Sequence, residues 1–190
     1  VLGQLNPSHP LLRPCLHFVT MLWHEANRLV YPNAERIFTL TASMADQLRP
    51  YFPNEALWRE RVLVIPPWAD NQAMRSSATA AQIFRQKYCV HGLLLSYSGN
   101  LGLTHPLETL LEAAAQLETL QSPPEAQIFL IGKGPKLRSL LRQAHELQLP
   151  QSRLRFLEPL PYSELPASLN AADLAVVALD GPSSVVSLPS

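Results

Sequence analysis

The sequence is poor in cysteine, in charge and in long apolar runs, and each shortage excludes a class of protein. Its two cysteines, Cys15 and Cys89, match no metal-ligand spacing and form no disulfide scaffold, which favours free thiols and a cytoplasmic setting. Fifteen basic residues balance fifteen acidic ones, so the electrostatic footprint of a nucleic-acid-binding protein is missing. The apolar stretch 15–23 is too short to span a bilayer, and its flanks lack the features of a secretory signal.

Several motifs of common enzymes are also missing. The sequence contains no Walker loop and no serine in a G-x-S-x-G elbow. A nicotinamide fingerprint requires G-x-G-x-x-G, whereas the first candidate loop here is G-x-x-G. His24 and Glu25 begin like a zinc-protease motif, but Arg28 stands where the second histidine belongs. The sequence therefore predicts none of these sites.

What the chain does have is a regular alternation of apolar strands and amphipathic helices. Hydrophobic residues make up 47% of the 190 residues and charged residues 16%, as in a globular protein. From residue 79 onward the pattern predicts strands at 93–98, 127–131, 154–157 and 174–179, and helices at 79–88, from Thr104, over 137–147 and over 163–171. This alternation predicts an α/β fold: a Rossmann-like parallel sheet with helices on both faces and right-handed crossovers.

The first 65 residues show a less regular pattern. Apolar residues at helical spacing predict an amphipathic helix over 11–31, and Ser43 with Asp46 predicts the N-cap of a helix that ends near residue 48. Strands are predicted over 36–41 and 61–65. Residues 66–78 carry no periodicity and are predicted to link two domains.

Two glycine loops follow the first two strands of the second part. Ligands of parallel sheets bind beyond the carboxyl ends of the strands, so these loops are candidate sites. The first loop, Gly99 to Gly102, leads to Thr104, predicted as the cap of the next helix, an arrangement that suits an anion. The second loop, Gly132 to Lys136, places Lys133 between two glycines. For both loops the alternative is a tight turn that needs glycine for its geometry alone.

Taken in order, five segments resemble the retaining family 4 glycosyltransferases of the GT-B fold, and especially their colanic-acid and exopolysaccharide type. The segments are RIFTLTASMADQL, RVLVIPPWAD, SYSGNLGLTHPLETLLEAA, IFLIGKGPKLRSLL and LRFLEPLPYSELPASLNAADLAVVAL. In that family two Rossmann-like domains face each other across a cleft. The resemblance implies that residues 1–65 are the C-terminal remnant of the acceptor domain, 66–78 a linker, and 79–190 a truncated nucleotide-sugar-binding domain.

The resemblance also implies which residues contact the donor, and none of them is catalytic. The first loop would meet the diphosphate, with His105 where the family often has lysine and Asn100 where it often has arginine. The second loop would lie near the nucleoside, two residues after the third strand would line the base pocket, and two C-terminal serines would lie near the donor sugar and phosphates. The implied contacts are Gly99, Asn100, Leu101, Gly102, His105, Gly132, Lys133, Gly134, Leu160, Pro161, Ser187 and Ser190. No metal or other cofactor is expected.

The implied activity is transfer of a sugar from a UDP- or GDP-sugar to a growing cell-surface glycan, on a glycan or lipid-linked acceptor. The chain stops before the lysine expected after Ser190 and before the paired glutamates of the E-x7-E motif, so the parent is expected to be an enzyme and these residues inactive. The alternative is a non-catalytic nucleotide-sugar or phosphate-binding α/β module. A plain receiver-like domain is a third interpretation, but Asp173 and Asp180 alone do not form its acidic cluster.

The resemblance implies a cytoplasmic protein at the inner face of the membrane, compatible with peripheral membrane association of the parent. Apolar surface is expected on the N-terminal helix and beside the fourth strand of the second domain, where it would favour self-association.

Overall fold

The computed structural model describes residues 12–68 and 74–180, with the backbone alone for residues 12–15. The chain divides into two compact units between residues 68 and 69. The interpretation of these units as parts of an acceptor and a donor domain stays a prediction. Within the described residues, no helix combines the length and the apolar character that a membrane crossing requires.

The first unit is a small α/β layer. Its elements are α1 (Leu12–Val30), β1 (Ile37–Thr39), α2 (Ala42–Leu48), α3 (Glu55–Arg61) and β2 (Val62–Val64). The two strands pair in parallel, with Ile37 opposite Val62. Ala45, Phe52 and Val62 form the buried centre of the unit.

Both short helices of this unit begin at polar caps that the sequence analysis did not identify. The cap of α2 is Thr41, whose extended backbone lets its hydroxyl accept from the Met44 N–H at 3.1 Å. The prediction of Ser43 as this cap was wrong, because Ser43 already lies within the first turn. Helix α3 was not predicted, and it begins at Asn54, whose Oδ1 accepts from the Leu57 N–H at 2.9 Å.

Helix α1 spans almost the predicted range, but its apolar stripe is not buried. Val19, Leu22 and Trp23 are exposed, whereas Asn27 is buried. The pattern therefore identified the helix but not a buried face within the described residues. The apolar surface expected on this helix is present.

The second unit contains a four-stranded parallel sheet in the order β5-β4-β3-β6. Its elements are α4 (Ala78–Lys87), β3 (Leu93–Ser98), α5 (Glu108–Glu118), β4 (Ala126–Ile131), α6 (Leu137–Glu146), β5 (Leu154–Leu157), α7 (Leu165–Ala171) and β6 (Leu174–Ala175). Two hydrophobic clusters cover the two faces of the sheet. The predicted Rossmann-like α/β fold is thereby confirmed.

Strand β4 is buried along its whole length, which explains why all of its residues except Gln127 are apolar. Its side chains alternate between the faces, so Ile128 and Leu130 join the cluster under α5 and α6. Phe129 and Ile131 join the cluster that contains Phe84 of α4 and belong to the opposite face. A central strand of a parallel sheet is covered on both faces, so it favours apolar residues at nearly every position.

Strand β6 is shorter than predicted. The sequence predicted a strand over 174–179, but only Leu174 and Ala175 pair with β3. Leu174 and Val177 are exposed, since β6 has a strand neighbour on one side only among the described residues. The apolar surface expected beside this strand is therefore present.

Candidate functional site

The first glycine loop leaves the carboxyl end of β3 and is held mainly through its own backbone. The N–H of Gly99 donates to the Ile131 carbonyl at 2.9 Å, and that of Leu101 donates to the Lys133 carbonyl at 3.0 Å. The Gly102 N–H donates to the Asn100 carbonyl at 2.8 Å. Among the described residues, the Asn100 N–H is the one loop amide without such a partner. A bound anion would therefore meet one backbone donor in this loop.

The helix after this loop begins later than predicted. The first residue of α5 is Glu108, and its N-cap Leu107 offers no capping side chain. The Thr104 carbonyl accepts instead from the Asp180 N–H at 2.9 Å, and the His105 N–H closes a turn onto the Gly102 carbonyl at 3.1 Å. The prediction that Thr104 caps the helix, with His105 in its first turn, was therefore wrong. Residues 102–107 form turns that place His105 between the loop and α5.

The second glycine loop packs directly on the first. Gly132 has a φ of +145°, and a Cβ at this position would lie 1.9 Å from the Gly99 carbonyl oxygen. A Cβ on Gly134 would lie 2.5 Å from the Leu101 carbonyl oxygen. Both glycines are thus required by the close approach of the two backbones. This observation supports the geometric interpretation of these two residues.

The two lysines of the second loop have different surroundings. Lys136 is mostly buried, and its Nζ donates to the His105 carbonyl and to Glu108 Oε2, both at 2.8 Å. Burial alone would raise the pKa of Glu108, but the hydrogen bond from Lys136, a backbone hydrogen bond at Glu108 and the charge of Lys136 together hold that pKa below its usual range. The Lys136 side chain therefore joins the second loop to the turn at His105 and to the start of α5. Lys133 is exposed, and its charge remains available to a ligand.

The imidazole of His105 is held at one of its nitrogens. Its Nδ1 lies 2.9 Å from the Ala178 carbonyl oxygen and 3.1 Å from the Tyr97 hydroxyl. A carbonyl oxygen only accepts, so Nδ1 carries a proton. The Nε2 of the neutral ring is then an acceptor, and donation from Nε2 to a phosphate requires the charged imidazolium. Gly102 packs against the Cδ2–Nε2 edge of the imidazole, since a Cβ on Gly102 would lie 3.0 Å from His105 Cδ2.

A pocket of about 680 Å³ opens at the carboxyl ends of β3, β4 and β5. Its lining comes from both loops, from the segment after β5 and from α7. The lining residues are Ser98, Gly99, Asn100, Ile131, Gly132, Lys133, Pro159, Leu160, Tyr162, Leu165 and Leu169. The pocket lies where ligands of open parallel sheets bind.

The structure brings together some of the residues that the resemblance implied and separates others. Five of them line the pocket: Gly99, Asn100, Gly132, Lys133 and Leu160. Leu101 is completely buried in the hydrophobic core, so its side chain is unavailable to a ligand. Gly102, His105, Gly134 and Pro161 do not belong to the lining. Ser187 and Ser190 lie outside the described residues.

The apolar wall of the pocket was not among the residues predicted from the sequence. Tyr162, Leu165 and Leu169 recur at intervals of three and four residues, which places them on one face of a helical segment. For this segment the sequence predicted only a helix over 163–171. Because the segment follows the carboxyl end of β5, its position next to Leu160 could have indicated a pocket wall.

A second pocket, of about 710 Å³, lies near the opposite, amino end of the sheet and includes His91 and the exposed free thiol of Cys89. Two of its polar side chains, Arg85 and Asn170, already form hydrogen bonds within the protein. Arg85 donates to the carbonyls of Ala171 and Gly92 and pairs with Asp173. The Asn170 amide is also bonded to backbone groups. We therefore place the candidate site at the carboxyl edge, although the two cavities are similar in volume.

Within residues 12–68 and 74–180, no group of three or more histidine, cysteine, aspartate or glutamate side chains is arranged to hold a metal ion. In the part of the chain that the structure describes, the lining of the carboxyl-edge pocket contains one charged residue, Lys133. The charge that this pocket offers a ligand is that of Lys133.

Comparison with known proteins gives a structural likeness only. No protein-family model matches the chain, and no curated protein matches it. Among solved structures, Alr3699/HepE of Anabaena in complex with UDP and glucose has a TM-score of 0.65 and 20% identity, over 80% of this chain and 40% of that one. Sucrose-phosphate synthase of Thermosynechococcus elongatus has a TM-score of 0.63 and 20% identity, over 84% and 40% of the two chains.

WaaG, a glycosyltransferase involved in lipopolysaccharide biosynthesis, has a TM-score of 0.60 and 22% identity, over 74% of this chain and 37% of that one. The chain thus spans about 40% of the length of HepE and the synthase, and somewhat less of WaaG. At these identities the likeness concerns the fold. The chain has the α/β fold of a corresponding part of the GT-B glycosyltransferases.

Proposed function

We propose that this chain is part of a retaining GT-B glycosyltransferase of family 4 and that its second unit binds the nucleotide-sugar donor. The observation that carries the proposal is the carboxyl-edge pocket, which both glycine loops and Leu160 line together. HepE, which shares this fold, has been solved with UDP and with UDP-glucose. The parent protein would act in the cytoplasm and transfer the sugar to a glycan or lipid-linked acceptor of the cell surface.

The pocket offers two kinds of surface to a nucleoside diphosphate. The exposed Lys133 and the Asn100 backbone N–H suit the diphosphate, because both donate hydrogen bonds to anions. Leu160, Leu165 and Leu169 with the ring of Tyr162 form an apolar wall that suits a base. The volume of about 680 Å³ lies in the usual range for ligand pockets.

Binding of UDP and GDP to the 190-residue chain, measured by calorimetric titration, tests the proposal. We expect weak binding of at least one of them, with the same Kd in EDTA and in Mg²⁺. Replacing Lys133 by alanine removes the pocket's positive charge and should raise the Kd about threefold to tenfold. Arg142→Ala is the matched control, because Arg142 is an exposed cation on α6 that does not line the pocket.

Three results would contradict this proposal: no binding of either nucleotide, binding that requires a divalent metal, or equal effects of Lys133→Ala and Arg142→Ala. The chain itself should transfer no sugar from UDP-glucose, because catalysis needs groups held together on both sides of the proposed cleft. Robust transfer by the purified 190 residues would overturn the assignment of this chain as a binding part only.

A further inference from the structure

The buried hydroxyl of Tyr97 contacts two parts of the candidate site at once. Tyr97 lies in β3, two residues before Gly99 of the first loop, and only 5% of its surface is exposed. Its hydroxyl donates to the Asn100 carbonyl at 2.7 Å and lies 3.1 Å from His105 Nδ1. Burial raises the pKa of Tyr97, so the hydroxyl keeps its proton across the neutral range.

The direction of these hydrogen bonds follows from their partners. Because the Ala178 carbonyl accepts from Nδ1 at 2.9 Å, Nδ1 carries a proton that can also reach the Tyr97 oxygen. The single proton of the hydroxyl goes to the Asn100 carbonyl. The imidazole, the hydroxyl and the loop carbonyl therefore form one chain, in which Tyr97 accepts from His105 and donates to Asn100.

The charged residues near His105 form hydrogen bonds with groups other than its imidazole. Lys136 binds the backbone carbonyl of His105 and the carboxylate of Glu108. Asp180 approaches through its backbone N–H, which binds the Thr104 carbonyl. Among the described residues, the side-chain hydrogen-bond partner of the imidazole is thus the neutral hydroxyl of Tyr97.

We propose that Tyr97 is a positioning residue of the nucleotide site, whose hydroxyl holds the first loop and the His105 imidazole together and which acts on the ligand through Asn100, a residue of the pocket lining. The proposal rests on the proposed function, since it assumes that the site binds a nucleoside diphosphate. Tyr97 itself does not line the pocket. Its role differs from that of a packing residue because it depends on one hydroxyl group.

The first test uses the chain without nucleotide. In NMR spectra of the chain with ¹⁵N-labelled histidine, the Nδ1 of His105 should carry a proton, and Tyr97→Phe should shift that nitrogen resonance. Tyr88→Phe is the control, because Tyr88 packs in the other hydrophobic cluster and does not line the pocket. An unprotonated Nδ1, or a resonance that Tyr97→Phe leaves unchanged, would overturn the proposal whether or not the chain binds nucleotide.

The second test is a double-mutant cycle on UDP binding. Tyr97→Phe should raise the Kd about twofold to tenfold, the range expected for one intramolecular hydrogen bond. In the His105→Ala background the same substitution should still raise the Kd about twofold to tenfold, because the hydrogen bond from the hydroxyl to the Asn100 carbonyl does not need the imidazole. An effect that disappears in that background would show that Tyr97 acts through His105 and would overturn the route through Asn100. A wild-type chain that binds no UDP would refute the proposed function, and the NMR result would still decide the orienting role of Tyr97.

Discussion

Gly132 is a residue of the candidate site at which the structure permits no side chain. Its φ of +145° and the 1.9 Å between a hypothetical Cβ and the Gly99 carbonyl oxygen leave no room for a side chain. Gly99 faces a different environment, because a Cβ there would meet the Tyr97 hydroxyl at 3.4 Å, an ordinary contact. Two glycines of one pocket therefore differ in whether a side chain can be accommodated.

We expect Gly132→Ala to lower the free energy of unfolding by about 2–4 kcal/mol, through backbone strain and the clash with the first loop. Gly99→Ala should change it by less than about 1 kcal/mol. Urea denaturation of both variants measures the difference. If Gly132→Ala lowered the free energy of unfolding as little as Gly99→Ala, the two loops would be able to separate without cost, contrary to their packing in the structure.

At the scale of secondary-structure elements, a carboxylate ties β6 to β3. Asp173 accepts from the Leu94 N–H at 2.7 Å and from Arg85 at 3.1 Å. The backbone hydrogen bond from Leu94, followed by the interactions with Arg85, holds the pKa of Asp173 below its usual value despite partial burial. The ionised carboxylate therefore stabilises the folded state above the pKa of the unfolded chain, about 3.9. That stabilisation is lost as the pH falls through the lower folded pKa.

Replacing Asp173 by asparagine should therefore destabilise the protein mainly above pH 4. Because the carboxylate is partly exposed, we expect a loss of at most about 1 kcal/mol in the free energy of unfolding near pH 6. The difference from wild type should shrink as the pH is lowered from about 4 to about 2. Chemical denaturation across this range measures it, with exposed Glu112→Gln on α5 as the control. A difference that does not change with pH would contradict the ionic role of Asp173.

At the scale of the whole molecule, apolar surface remains at the edge of the larger sheet. Leu174 is 57% exposed and Val177 is 66% exposed. An exposed sheet edge with apolar side chains favours pairing with another chain. The 190-residue chain is therefore expected to self-associate through this edge.

We expect Leu174→Lys to weaken that self-association, because a charge on an edge strand opposes pairing. Leu120→Lys, after α5, is the matched control, since Leu120 is exposed to a similar extent at 50% but lies outside the sheet. Sedimentation equilibrium over a range of concentrations measures both variants. Equal association of the two variants would place the contact elsewhere.

The order of the elements in the second unit and the position of its loops could be predicted from the sequence. Apolar periodicity is a local property, so it predicted β3, β4, β5 and the helices between them to within a few residues. It also placed both glycine loops at strand carboxyl ends, where the pocket opens. It failed for α3, for the start of α5 and for the end of β6, where caps, turns and the position in the sheet decide the structure.

The contacts around the candidate site depend on packing between segments that are distant in the sequence. His105 receives its orientation from Ala178, 73 residues away, and Lys136 binds the His105 carbonyl across 31 residues. The need for glycine at position 132 likewise arises from the backbone of another loop. No periodicity or spacing encodes such contacts, because they form only when distant segments pack together. The sequence therefore predicted the edge of the sheet at which the pocket opens, and packing determined which residues line it.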